Sequence, residues 1–297
     1  MSSPDDQALE WLVRLNDTKA DDHLREEFAR WHAVPEHAKA WTQAEAFWNR
    51  LNPVTAEIRR RRRLSRRAAI AGGSALVLAP LTVWLTRPGR FADYRTLAGE
   101  TRELLLPDGS RVELAAGSAL SMDYATKERR LVLHLGEAFF KVATDPERPF
   151  IVNAGQAEFI ALGTAFNVRL FEDQVSLTVT EHRVLARNGQ VETVVEEGHK
   201  LAIGGSLATN AQPVDIDTET AWRQGILVFE ATPLGEVMDV LGRNAGWNVM
   251  ISDAARRIPV TAIFKLSRIS DAPETIARTL PVRLSRLPGG VIIIRTK

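Results

Sequence analysis

The chain has 297 residues, of which 45% are hydrophobic and 25% are charged, and these values are ordinary for a globular protein. They exclude wholesale disorder, a collagen-like chain and a membrane protein with many spans. The 38 basic and 37 acidic residues give a net charge of +1, which argues against a protein that coats nucleic acid with a uniformly basic surface. The absence of cysteine excludes disulfides, thiolate metal sites and cysteine nucleophiles.

Residues 1–58 are predicted to form a small all-α bundle of three helices. Apolar residues recur there at helical spacing, as in Leu9, Leu12 and Val13. Four of the seven tryptophans fall in this segment, namely Trp11, Trp31, Trp41 and Trp48. Most are expected in the core of so small a bundle and some on a partner-binding face, where exposed Trp is common. The segment holds 11 acidic and 6 basic residues, and this acidity favours a basic partner such as a DNA-binding regulator.

An arginine-rich segment, 59–67, separates the bundle from an uncharged apolar stretch of nineteen residues, 68–86. A membrane-spanning helix needs about 20 mostly apolar residues, so this stretch is predicted to be a single transmembrane helix. The positive-inside rule then places residues 1–67 in the cytoplasm and the remainder across the membrane. A cleaved signal peptide would not follow a folded region, and a buried core helix would not explain the arginines.

Residues 95–205 are predicted to form an all-β domain. Leucine and valine alternate on both sides of a Pro107-Asp108-Gly109 turn, and two further hairpin patterns follow. The six histidines show no metal-ligand spacing, and no nucleotide-binding or nucleophile-elbow motif occurs. Neither a cofactor nor a metal is therefore expected, and the chain is not predicted to be an enzyme in the ordinary sense.

Residues 222–297 are predicted to form a small α+β domain with the order βαββαββ. A strand at Ile226–Phe229 precedes a helix that Pro233 opens and that Gly242 or Gly246 ends. A second helix runs from Pro273 to Leu280, and a hairpin closes the domain.

Together these features resemble the FecR family of membrane-spanning sigma-factor regulators. Residues 1–58 resemble its cytoplasmic domain, and the last 75 or so residues resemble the short domain shared by secretins and TonB-linked receptors. The runs in the middle that resemble the family's periplasmic domain are Leu106-Pro107-Asp108-Gly109-Ser110, Gly136-Glu137-Ala138-Phe139-Phe140, Arg148-Pro149-Phe150 and Leu162-Gly163-Thr164-Ala165-Phe166-Asn167-Val168.

The resemblance implies an anti-sigma factor, or sigma regulator, of the bacterial inner membrane. Its cytoplasmic part would bind an extracytoplasmic-function (ECF) sigma factor. Its periplasmic part would bind the signalling domain of an outer-membrane TonB-dependent receptor, which in the family often serves iron–siderophore uptake. The expected sigma-binding residues are Trp11, Phe28, Trp31, Trp41 and Trp48. The expected receptor-binding residues are Trp222, Phe229, Leu234 and Leu241. Site proteases are expected as further partners, and no direct contact with nucleic acid is expected.

Two local features of the sequence add to this resemblance. Some family members cleave themselves at a Gly-Thr bond, and Gly163-Thr164 is the matching pair here, where a hydroxyl could attack a strained carbonyl. The alternative is that Gly163 serves a bulge or tight turn. Where the family often has Glu-Gly, this chain has Glu181-His182, so a turn glycine is lost and the hairpin is expected to be remodelled.

Two other functions stay open on the sequence. One is a membrane-anchored periplasmic protein that binds or hydrolyses carbohydrate, and the other is a β-protein of a secretion machine. The first lacks persuasive paired carboxylates, and neither explains the acidic, Trp-rich N-terminal segment.

Overall fold

The computed structural model describes residues 3–16, 22–51, 91–171, 174–204, 207–208 and 210–297. Three N-terminal helices are followed by a large β domain and a C-terminal α+β domain, in the predicted order. The predicted arginine-rich segment 59–67 and transmembrane helix 68–86 lie outside the described residues. Within the described ranges, no helix is both long and apolar enough to cross a membrane.

The N-terminal helices are α1 (Pro4–Asn16), α2 (Asp22–His32) and α3 (Pro35–Leu51). At the start of α1, the backbone N–H of Asp6 donates to Ser3 Oγ at 3.2 Å, and the Ser3 hydroxyl donates to Asp6 Oδ2 at 2.8 Å. The Ser3 hydroxyl oxygen thereby caps the N–H of Asp6, one of the free N–H groups of the first turn. Pro35 begins α3, where its fixed φ suits a first helical turn.

Strands β1 to β14 form one folded sheet in the middle of the chain. They are β1 (Tyr94–Arg95), β2 (Arg102–Leu105), β3 (Arg111–Leu114), β4 (Ala119–Tyr124), β5 (Arg129–Lys141), β6 (Phe150–Ala154), β7 (Ala157–Ala161), β8 (Ala165–Phe171), β9 (Gln174–Glu181), β10 (Arg183–Asn188), β11 (Val191–Glu196), β12 (His199–Gly204), β13 (Leu207–Ala208) and β14 (Gln212–Pro213). The predicted all-β domain is confirmed.

The long strand β5 joins the two halves of this sheet. Its first half pairs with β4 and β6, and its second half, from Gly136, pairs with β3 and β8. Gly136 has φ +92°, and a Cβ there would lie 2.3 Å from Ser118 Oγ, so only glycine fits at the join. Side chains from both halves form one hydrophobic core.

A buried ion pair fixes the β2–β3 turn. The Arg129 guanidinium is fully buried and donates to Asp108 at 2.7 Å and to the carbonyl oxygen of Arg148 at 2.9 Å. Burial alone would raise the pKa of Asp108, but hydrogen bonds from Ser110, Arg129 and Tyr124 outweigh it, so this pKa lies below its ordinary value. The runs Leu106–Ser110 and Arg148–Phe150, far apart in sequence, are thereby held at one end of the domain.

The C-terminal domain contains β15 (Ile226–Pro233), α5 (Leu234–Ala245), β16 (Asn248–Ile251), α6 (Asp253–Arg256), β17 (Pro259–Lys265), α7 (Ala272–Thr279), β18 (Val282–Leu287) and β19 (Val291–Thr296), with α4 (Ile216–Thr220) before it. Strands β15 and β17 pair with each other, while β19 lies between β16 and β18. Gly246, at φ +73°, ends α5. The predicted strands and the two longer helices occur in the predicted order, and the short helix α6 between β16 and β17 was not predicted.

Both neighbouring domains contact the C-terminal domain. On one side, Phe139 and Ala165 of the β domain belong to the same buried cluster as Trp222. On the other side, Leu9 and Leu12 of α1 belong to a buried cluster with Ile293 of β19.

Candidate functional site

The first candidate site is a cluster of aromatic rings on the N-terminal helices. The ring centroids of Trp11 and Phe28 are 5.6 Å apart, those of Phe28 and Trp41 are 4.7 Å apart, and those of Trp11 and Trp31 are 6.1 Å apart. Trp11 is buried, whereas Phe28, Trp31 and Trp41 are only partly buried. The cluster therefore has one ring in the bundle core and three that present part of their surface to solvent.

Polar contacts hold this aromatic cluster in place. The Trp31 indole N–H donates to Gln7 Oε1 at 2.7 Å, and the Trp31 ring stacks on His37 with 4.8 Å between centroids. The Arg14 guanidinium lies 4.2 Å from the Trp11 ring centroid and forms a 2.8 Å ion pair with Glu27. Such supports fix ring orientations and lower the entropy lost when a partner binds.

Trp48, the fifth predicted sigma-binding residue, has no ring contact with the other four. It is 6% exposed and belongs to the buried cluster between α1, α3 and the C-terminal sheet. Its indole nitrogen has no hydrogen-bond partner among the described residues. The structure thus brings the rings of Trp11, Phe28, Trp31 and Trp41 together, and Trp31 and Trp41 also pack against the buried cluster that contains Trp48.

The four predicted receptor-binding residues lie inside the C-terminal domain. Trp222, Phe229, Leu234 and Leu241 are between 0% and 7% exposed and share one core. The Trp222 indole N–H also donates to Asn167 Oδ1 of the β domain at 3.3 Å. These side chains shape the domain, and a partner would touch them directly only if the domain opened. Their role in receptor binding stays a prediction.

A polar cavity of about 270 Å³ lies at the junction of the β and C-terminal domains. Its lining includes Glu137, Arg169, Lys200, Glu219 and Glu236. Burial raises the pKa of Glu137, against the opposing effect of the Arg169 charge and the Asn167 amide. Arg169 forms an ion pair with Glu236, and Lys200 forms one with Glu219 at 2.8 Å. Both cations of this cavity are thus paired with a carboxylate, which is typical of a structural junction.

The peptide bond between Gly163 and Thr164 lies between β7 and β8, where the backbone takes a conformation suited to glycine. Gly163 has φ +147°, and a Cβ there would lie 2.6 Å from Thr144 Oγ1. Thr164 is 6% exposed, and its hydroxyl has no hydrogen-bond partner within the described part of the chain. Its carbonyl oxygen accepts a 2.9 Å hydrogen bond from the N–H of Val142. A buried hydroxyl without a hydrogen-bond partner is unusual in a folded protein. No group of three His, Asp or Glu residues in the described ranges could hold a metal ion.

Comparison with known families identifies the middle and the N-terminal part of the chain. Residues 92–185 match the family described as FecR protein. The middle of the chain is a FecR domain. Residues 6–47 match a second family, described as a domain of unknown function (DUF4880). The resemblance drawn from the sequence is confirmed, and the FecR domain contains the Arg129–Asp108 pair and the Gly163-Thr164 bond.

Two crystal structures, at 1.65 Å and 2.50 Å resolution, are similar to this FecR-domain protein. Both are of a candidate anti-sigma factor from Parabacteroides distasonis ATCC 8503. Each has a TM-score of 0.63 and 22% sequence identity, and the match covers 69% of this chain and 98% of the other. At this identity the likeness establishes the fold. No curated protein sequence matches the chain.

The lost turn glycine has a direct structural consequence in the FecR domain. His182, between β9 and β10, adopts φ +65°, a left-handed conformation that glycine takes without strain. Its backbone N–H donates to Glu197 Oε2 at 3.1 Å. The hairpin therefore keeps a conformation suited to glycine, and the prediction of a remodelled turn is wrong.

Proposed function

We propose that this FecR-domain protein is a sigma-factor regulator of the bacterial inner membrane. In this proposal α1 to α3 bind an ECF sigma factor in the cytoplasm. The FecR and C-terminal domains receive a signal in the periplasm from a TonB-dependent outer-membrane receptor, for which an iron–siderophore receptor is the first candidate.

The aromatic cluster of Trp11, Phe28, Trp31 and Trp41 carries this proposal. A small helical domain that leaves three large rings partly exposed has a surface suited to a protein partner, because Trp and other large rings dominate binding hot spots. The charge of residues 1–58 favours a basic partner, and DNA-binding surfaces are basic. Occupying such a surface would keep a sigma factor from promoter DNA.

The membrane topology in this proposal comes from the sequence. Seven arginines between 59 and 67 precede nineteen uncharged residues, 68–86. This order orients a spanning helix with the arginines in the cytoplasm. The description of the structural relative as a candidate anti-sigma factor agrees with the same function.

The test is recovery of the partner with the full chain from membranes of its native host. We expect a small sigma factor to co-purify and to be lost when salt is raised, because exposed charges are then screened. Trp31→Ala and Trp41→Ala should each reduce recovery. Trp247→Ala, the same change at a partly buried tryptophan of the C-terminal domain, should leave it unchanged. Recovery of a secretin, or of no partner at low salt, would contradict the proposal.

We propose further that the Gly163–Thr164 bond undergoes one cleavage per molecule. The Thr164 hydroxyl oxygen attacks the Gly163 carbonyl carbon, the bond to the Thr164 nitrogen breaks, and that nitrogen takes the hydroxyl proton. Water then hydrolyses the resulting ester to give a new carboxylate at Gly163. The left-handed φ of Gly163 and the unpartnered hydroxyl of Thr164 support this step.

Cleavage is tested by following the size of the purified chain. The wild type should yield two fragments, the second beginning at Thr164. Thr164→Ser should still cleave, and Thr164→Ala should stay intact. Thr178→Ala, which removes another buried threonine hydroxyl of the FecR domain, should cleave like the wild type. An intact wild-type chain would refute the proposal.

A further inference from the structure

The central strand of the C-terminal sheet is buried on both of its faces. Val291, Ile292, Ile293 and Ile294 are all 0–1% exposed. Successive side chains of a strand point to opposite faces, so other residues of the chain must pack against both faces of this strand. Ile292 and Ile294 belong to the core of the C-terminal domain. Val291 and Ile293 belong to a different buried cluster, together with Met250 of β16. We call this second face, formed by the side chains of Met250, Val291, Ile293 and Arg295 together with the C-terminal end of β19 at Thr296, the outer sheet face.

Helix α1 covers the outer sheet face with apolar side chains. Ala8, Leu9 and Leu12 are 1–6% exposed and join Met250, Val291 and Ile293 in one cluster. Leu9 and Leu12 follow Asp6 at intervals of three residues, so all three lie on one side of the helix.

The outer sheet face also binds a carboxylate at a fixed position. Asp6 is 2% exposed and accepts hydrogen bonds from the Thr296 backbone N–H at 2.9 Å and the Thr296 hydroxyl at 2.7 Å. Arg295 adds a positive charge that is attracted to the carboxylates of Glu10 and Asp6 in α1. Nε and Nη1 of Arg295 are buried without a hydrogen-bond acceptor among the described residues. An apolar strip with donors and a cation at its end is complementary to an acidic amphipathic helix.

In the proposed topology, α1 cannot remain on this face. The predicted span 68–86 lies between α1 and the C-terminal domain in the chain, and a bilayer has a hydrocarbon core of about 30 Å. Met250, Val291 and Ile293 would then lose their cover. An apolar strip exposed in this way is characteristic of a protein-binding surface.

We propose that the outer sheet face is a docking surface for an acidic amphipathic helix of a partner protein on the periplasmic side. Such a helix carries a carboxylate in its first turn, a second one four residues later, and apolar residues three and six positions after the first. Asp6, Glu10, Leu9 and Leu12 of α1 show this pattern. The inference rests on the proposed function for its topology and does not depend on a sigma factor.

The experiment uses residues 91–297 and a labelled synthetic peptide of residues 3–16. Both hydrophobic cores formed after residue 90 lie inside this fragment, between Leu104 and Ile294. The crystallised relative, 98% of which matches 69% of this chain, forms a similar fold. We expect saturable binding, measured by fluorescence anisotropy. The Asp6→Asn peptide should bind about tenfold more weakly or worse, because a buried charged hydrogen bond is lost. The matched Asp5→Asn peptide should bind as well as the original or better, because Asp5 lies near the like charge of Asp253.

A second variant set tests the sheet itself. Arg295→Met in the fragment should weaken binding of the original peptide but should not weaken binding of a Glu10→Gln peptide. Circular dichroism should show that the variant fragment is folded. Lack of saturable binding, equal loss with Asp5→Asn and Asp6→Asn, or displacement of the peptide by anionic lipid vesicles would overturn the inference. None of these outcomes affects recovery of a sigma factor by the full chain, so the two proposals fail independently.

Discussion

Asp6, near the start of the first helix, accepts two hydrogen bonds from Thr296, a residue 290 positions further along the chain. This contact places α1 on the C-terminal sheet. A bilayer between residues 1–67 and 88–297 would separate the same two groups. The docked arrangement and the spanning arrangement are therefore alternatives for one molecule, and each leaves a different surface free.

The Asp6 contact is predicted to make the docked arrangement depend on pH. Burial alone would raise the pKa of Asp6, but hydrogen bonds from Ser252, Thr296 and Ser3 lower it below the ordinary value of 3.8. A lowered pKa means that the carboxylate stabilises the folded state above pH 3.8 and that this stability is lost as the pH falls through the folded-state pKa. Asp6→Asn should cost about 1.5–3 kcal/mol at pH 7 and should remove this acid dependence.

The measurement for Asp6 is thermal unfolding of the purified full chain at a series of pH values. Asp5→Asn provides the control, because the Asp5 pKa is raised by burial and by Asp253 and its charge does not stabilise the fold. Equal effects of the two substitutions at pH 7 would show that the Asp6–Thr296 contact is not formed.

Replacing His182 with glycine is predicted to stabilise the FecR domain. A non-glycine residue in the left-handed region costs about 1–2 kcal/mol, and glycine removes most of that cost. The hydrogen bond to Glu197 is kept, because the donor is the backbone N–H. His182→Gly should raise the melting temperature by a few degrees. Arg183→Gly, at the first residue of β10, should lower it, since glycine is unfavourable in a strand.

The buried pair of Arg129 and Asp108 is predicted to be the most sensitive polar contact of the FecR domain. Their side chains are 0% and 4% exposed. Removing one partner leaves an uncompensated buried charge, which costs about 3–5 kcal/mol. Arg129→Met and Asp108→Asn should each destabilise the domain strongly, and the double variant should be less destabilised than the sum of the two. Additive losses in chemical denaturation would contradict a direct coupling.

Much of the fold follows from local pattern in the sequence. The β2–β3 turn at Pro107-Asp108-Gly109, the helix start at Pro35 and the helix end at Gly246 are each set by the conformations that proline and glycine prefer. The alternation of leucine and valine predicted the strands of the FecR domain. These features need no knowledge of distant contacts.

The candidate site was less accessible from sequence, because it depends on which residues meet in space. Trp48 and Trp31 look alike in a helical pattern, yet one is buried against the C-terminal sheet and the other is partly exposed beside Phe28. The core of the C-terminal domain holds Trp222 and Leu234, which the sequence suggested as contact residues. One signal was present: the run Val291–Ile294 is apolar at every position, as expected of a strand covered on both faces.

The topology itself is predicted to show in the labelling of single cysteines, since the chain contains none of its own. Thr42 in α3 and Ile263 in β17 are both exposed, so Thr42→Cys and Ile263→Cys should not disturb a hydrophobic core. Each cysteine then shows on which side of the membrane its domain lies. A thiol reagent that cannot cross membranes should label Ile263→Cys in spheroplasts and should label Thr42→Cys only after lysis. Labelling of both positions before lysis would place α3 and the C-terminal domain in one compartment. In that case the outer sheet face keeps α1 as its occupant, and no partner helix has access to it.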